Sequence, residues 1–119
     1  METASRRGRR LGRMSPFDAH VLQRVQGAVR RHAPAASVVV YGSTARGART
    51  DESDYDVLVV TPSPMDKSTD EAIQRDVYAI ELDLAVVVSL VCYAAAQWNS
   101  ALMSATPFRR AVEAEGIRL

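Results

Sequence analysis

Two runs rich in β-branched residues, Val38-Val39-Val40-Tyr41 and Val57-Leu58-Val59-Val60, constrain the fold of this chain most tightly. Short continuous apolar runs bounded by glycine, serine and aspartate read as buried strands. Each run also carries a polar pair at one end that packing does not call for. Gly42-Ser43 follows the first, and Asp54-Tyr55-Asp56 leads into the second after ten intervening residues. A further acid, Asp83, lies inside Leu82-Asp83-Leu84-Ala85-Val86-Val87-Val88, which reads as a third strand over 81–88.

With 119 residues, 47% of them hydrophobic, the chain suffices for one compact domain and any site must be built on a single core. The formal charge of +1 hides an asymmetry. Arg6, Arg7, Arg9, Arg10 and Arg13 face only Glu2 in the first thirteen residues, and the remainder holds 10 basic and 13 acidic residues. We therefore expect a basic, solvated arm over 1–14 and one folded domain over 15–119. The arm's arginines offer a nonspecific route to nucleic acid, but a solvated tail is the simpler reading. No apolar stretch follows them that would serve as a signal-peptide core, and the longest apolar run is too short and interrupted to span a bilayer. With the single Cys92 no disulfide forms within the chain. A cytoplasmic protein with no membrane association fits these features.

Local signals order the rest. Ser15-Pro16-Phe17-Asp18 reads as a helix start, and the fourfold spacing of Phe17, Val21, Val25 and Val29 carries that helix to about residue 31. A short helical turn follows Ser43, a polar loop spans 46–53, and Pro62 and Pro64 close the second strand. Ala72, Ile73 and Val77 give the segment 66–78 an apolar face, so a second long helix packs on the sheet. Residues 90–103 read as broken helix. Thr106-Pro107 opens a last helix burying Phe108, Ala111 and Val112, Gly116 stops it, and 117–119 forms a short edge strand.

The chemistry lies in the polar pairs. Side chains two apart on a strand share a face, so Asp54 and Asp56 are placed to hold one cation between them while Tyr55 points the other way, into packing. Clustered carboxylates repel unless cations compensate them, and hard oxygen ligands suit Mg²⁺ or Mn²⁺. If Asp83 joins them, two divalent ions neutralise the cluster and leave positive charge for a triphosphate. The competing reading of Asp83 is an ion pair with a nearby arginine. Gly42 lets the backbone approach a phosphate, and the Ser43 hydroxyl and neighbouring amides donate to it. Arg46 and Arg49 stand in the loop as candidates to reach the phosphates, the competing reading for each being a merely solvated loop arginine. The lysine and second glycine of a P-loop are absent.

This arrangement of Gly42-Ser43, Asp54-Tyr55-Asp56 and Asp83 resembles the DNA polymerase β-type nucleotidyltransferase superfamily. Within it the chain is most similar to the minimal nucleotidyltransferases, small proteins often paired with a HEPN-domain ribonuclease as antitoxin and toxin. The likeness covers residues 17 to 119, including the Glu-Gly before the final apolar strand. It implies an α+β domain with a mixed sheet flanked by helices, and transfer of AMP from ATP to an acceptor hydroxyl with loss of pyrophosphate. Carried over, Gly42 and Ser43 hold the nucleotide, joined by Arg46 as the candidate read from the loop, while Asp54, Asp56 and Asp83 are the catalytic, metal-binding acids for two Mg²⁺ ions, Mn²⁺ being an alternative. The implied partner is a HEPN toxin, modified by adenylylation. The chain leaves no residues for an acceptor domain of its own, which disfavours a small molecule or an RNA end unless a homo-oligomer builds the pocket. A binding antitoxin that neutralises by contact alone is the rival of a different class.

Overall fold

A computed structural model describes residues 14–119, so the arginines expected to form a basic arm lie outside the described residues. Met14 belongs with the domain, packed against its core. Ser15 caps helix α1, Pro16–His32, by accepting a hydrogen bond from the Asp18 amide, and Pro16 occupies a first-turn position where a missing N–H costs nothing. Val21, Val25 and Val29 bury one face of it completely.

Strand β1, Ser37–Tyr41, runs directly into a five-residue helix α2, Gly42–Arg46, and returns antiparallel as β2, Tyr55–Thr61. Helix α3, Lys67–Leu84, then carries the chain back so that β3, Val88–Ala94, lies parallel to β2. Two short helices, α4 (Ala95–Trp98) and α5 (Ala101–Ser104), precede α6, Pro107–Glu115, and the two-residue strand β4, Ile117–Arg118, which pairs antiparallel with β1. The sheet order is β3-β2-β1-β4, a mixed four-stranded sheet flanked by helices, as expected.

Alternation along the strands sorts the two sheet faces. Val38, Val40, Tyr55, Val57 and Val59 are wholly buried, and they share a core with Val21 and Val25 of α1 and Ile73 and Val77 of α3. Each such side chain contributes about 1.5–3 kcal/mol by leaving water. The other face, which includes Tyr41 and Asp56, is covered more lightly by an aromatic row. Tyr41 meets Phe108 edge-on at 5.4 Å, Phe108 meets Trp98 at 5.8 Å, and Trp98 meets Tyr93 at 5.8 Å. Val112 of α6 is buried, but Ala111, expected beside it, is exposed.

The third strand is displaced from its expected position. Residues 81–84 continue α3, whose buried positions Ile73, Val77 and Ile80 keep the helical spacing, and the strand begins only at Val88. Ala85 ends the helix at φ 55°, a left-handed conformation usually left to glycine. The Glu81 carboxylate, accepting from the Val88 amide at 2.8 Å, ties the helix end to the strand start. The stretch expected as broken helix is β3 up to Ala94 and two short helices beyond it.

Candidate active site

The two polar pairs meet at one end of the sheet. In the β1–β2 ladder Tyr41 stands opposite Asp56, which brings the β1-to-α2 turn against the start of β2. The approach is close enough that a Cβ on Gly42 would lie 2.3 Å from Asp56 Oδ2, and Gly42 itself adopts φ 73°. Only glycine satisfies both requirements. Asp54 is exposed just ahead of β2, and Asp56 is half-buried within it.

Burial pushes the Asp56 carboxyl up from the ordinary carboxylate range. The neighbouring charges of Asp54 and Glu115 push it the same way, and the Arg46 guanidinium offsets part of the effect. Acids held in mutual repulsion beside a glycine turn are a charge arrangement that a cation relieves. Their donor chemistry fits Mg²⁺, which is held typically through one or two carboxylates with substrate phosphates and water completing its shell. No group of three or more His, Cys, Asp or Glu suited to a metal occurs among the described residues.

Asp83 is not brought to this site. It lies in the last turn of α3, its side chain 62% exposed, in an ion pair with Arg24 of α1. The expectation of a third site carboxylate there fails with the strand assignment behind it, and the arginine-pair reading is the one observed. The β3 residue in register with Asp56 is Ser89, which offers a hydroxyl in place of a carboxylate. Asp83→Asn should therefore leave nucleotidyl transfer at the wild-type level and cost no more than about 1 kcal/mol, as exposed ion pairs do. Thermal melts and a transfer assay check this, and a large loss of transfer would restore Asp83 to the site.

Arg46 is at the site, with its guanidinium turned to α6. Its Nη1 donates to both Glu115 oxygens, at 3.1 and 3.3 Å, and the Gly42 N–H donates to Glu115 Oε1 at 3.1 Å. Arg49 turns the other way. Its guanidinium lies 4.0 Å over the Tyr55 ring and 3.4 Å from Asp18 of α1, and Nη2 donates to the Ser53 carbonyl. The Tyr55 hydroxyl donates to the same Asp18 carboxylate, and burial is the main cause that pushes the phenol pKa upward. This part-buried clasp fixes the residue between the two aspartates from behind and pins the loop that precedes them.

Glu115, Ser89 and the clasp escaped the sequence reading. One signal for Glu115 was present: an acid in the last turn of a helix faces the negative end of its dipole, so it needs donors from elsewhere.

A short α+β domain that folds a glycine turn onto paired acids at adjoining strand ends defines the class. A family model described as the nucleotidyltransferase domain matches residues 22–117. The chain belongs to that family, and with it to the polymerase β-type superfamily. Nucleotidyl transfer is the activity that this membership supports. No curated protein matches the chain. No helix among the described residues is long and apolar enough to cross a membrane.

Proposed function

We propose that the protein moves AMP from ATP to a hydroxyl on a partner protein, the partner being a toxin of the HEPN class. The observation that carries the transfer reading is the contact between Gly42 and Asp56, which sets a phosphate-approachable backbone against paired acids in a chain of this family. Asp54 and Asp56 would hold Mg²⁺, which, when bound, offsets the negative charge of the triphosphate and of the transition state. Gly42 and Ser43 orient the phosphates through backbone and hydroxyl donors, and Arg46 adds a cation beside them.

In the transfer, the acceptor oxygen forms a bond to the α-phosphorus and the bond from that phosphorus to pyrophosphate breaks. The hydroxyl proton passes to solvent at this open end of the sheet. Positioning and charge compensation supply most of the rate, as expected for phosphoryl chemistry. The exposure of Asp54 suits an acceptor presented by another molecule.

Incubating the protein with ATP, Mg²⁺ and the candidate toxin should yield a toxin carrying one or more adenylate mass increments. A toxin that stays unmodified while ATP is demonstrably bound would defeat the acceptor assignment. One observation favours the rival, a binding antitoxin: Asp83 lies elsewhere, so the acidic pair lacks the third member first expected. The two readings separate on whether neutralisation survives loss of Asp54 and Asp56.

A further inference from the structure

Glu115 closes the sequence of α6 and points its carboxylate at the two groups the transfer reading assigns to phosphate. The Gly42 N–H donates to its Oε1, and Arg46 Nη1 donates to both its oxygens. These are the donors that an incoming phosphate oxygen needs, and the single Gly42 N–H cannot be aimed well at two anions at once. We propose that the Glu115 carboxylate occupies the seat of a nucleotide phosphate in the nucleotide-free protein, so that a triphosphate binds only by displacing it, and that Glu115 thereby sets the affinity of the site. The proposal rests on the transfer reading above and adds to it a residue that controls substrate binding.

Two features support displacement over permanent attachment. Glu115 sits at the carbonyl end of its own helix, where the dipole disfavours an anion. It also shares Gly42 with a second acid, since the Gly42 N–H donates to Glu115 while Asp56 Oδ2 lies 2.3 Å from where a Cβ on Gly42 would stand. Its place is thus unfavourable except for the donors that hold it, and a ligand that takes those donors leaves it repelled.

The backbone, in contrast, is fixed. Gly116 is packed so tightly that a Cβ there would lie 2.5 Å from the Val112 carbonyl and 2.9 Å from Val39 Cγ1, and Ile117 is buried in the strand that follows. Displacement is therefore a side-chain rotation. The Glu115 side chain is 21% exposed, and water can receive its charge.

Titrating the full chain with Mg-ATP by calorimetry tests the idea. Glu115→Gln keeps the shape and removes the charge, and Glu115→Ala empties the seat. Both should bind Mg-ATP about tenfold more tightly than wild type. Unchanged affinity in both variants would overturn the proposal, and weaker binding would overturn it by making Glu115 a ligand of the nucleotide–metal complex. In wild type itself, Mg-ATP should shift the Gly42 amide resonance, and an unmoved resonance at saturating nucleotide overturns the proposal even if a variant folds poorly. Absence of Mg-ATP binding in wild type and both variants would defeat the transfer reading itself, and this inference with it.

Discussion

Asp54→Asn combined with Asp56→Asn is expected to abolish nucleotidyl transfer and to make the nucleotide-free protein more stable at neutral pH. The loss should be about a thousand-fold or more, equivalent to about 4 kcal/mol of transition-state stabilisation. The gain in stability follows from the electrostatics of the folded state. Burial, Asp54 and Glu115 raise the Asp56 pKa above its unfolded value, so the folded protein binds a proton that the unfolded chain releases. The stabilisation due to Asp56 is complete below the ordinary carboxylate range and is lost as pH rises through the raised pKa.

At pH 7 the ionised carboxylate is thus a net cost, and the neutral amide removes it. Thermal melts in chelator should show the variant melting above wild type at pH 7 and losing this advantage as pH falls through the ordinary carboxylate range. Saturating Mg²⁺ should narrow the gap at neutral pH by stabilising wild type alone. A variant less stable than wild type at pH 7 would mean that the pair serves structure. Measured on neutralisation of the proposed toxin, the same double variant separates chemistry from contact: loss together with transfer supports adenylylation, and survival supports the binding antitoxin.

The second large effect concerns Gly42, and Gly47 supplies its control. Both adopt φ 73°, so alanine at either meets the same left-handed backbone penalty of about 1–2 kcal/mol. They differ in space. A Cβ at Gly47 meets nothing within 4 Å, whereas at Gly42 it would press on Asp56 Oδ2 at 2.3 Å. Gly42→Ala must therefore shift Asp56 or the turn, and misplacement on the scale of 1 Å costs about a hundred-fold in rate.

Gly47→Ala should lose the backbone increment of stability while Mg-ATP binding and transfer stay near the wild-type level. Gly42→Ala should lose more stability and, in the fraction that remains folded, bind Mg-ATP weakly and transfer poorly. Equal effects of the two substitutions on binding would show that the Gly42–Asp56 contact has no bearing on the site.

The valine runs made β1 and β2 legible, since a short apolar run between a helix cap and a glycine has few other uses. The glycine turn and the two aspartates could be read with them because each is bound to a strand end by sequence alone. Even Tyr55 was placed by alternation on the packing side, where it is wholly buried. Asp83 was misread for a definite reason. Leu82-Asp83-Leu84 satisfies both a strand's alternation and a helix's outer face, and the helix ends at Ala85, a residue that gives no stop signal. Gly or Pro there would have exposed the boundary.

The links across the site were hidden by distance along the chain. Arg46 and Glu115 are 69 residues apart, and the Tyr55–Asp18 bond joins residues 37 apart. Charge patterning within one element cannot reveal such pairs. The unfavourable position of Glu115 at its helix end was the one local hint, and it showed that a partner was needed without showing which.

The most direct test of the account is the metal dependence of nucleotide binding. Wild type titrated with ATP should bind in Mg²⁺ and lose most of that affinity in chelator, while the protein carrying Asp54→Asn and Asp56→Asn should show no gain from Mg²⁺. Mg²⁺-dependent binding that is equal in the two proteins would contradict the assignment of the Asp54–Asp56 pair as the centre of the site.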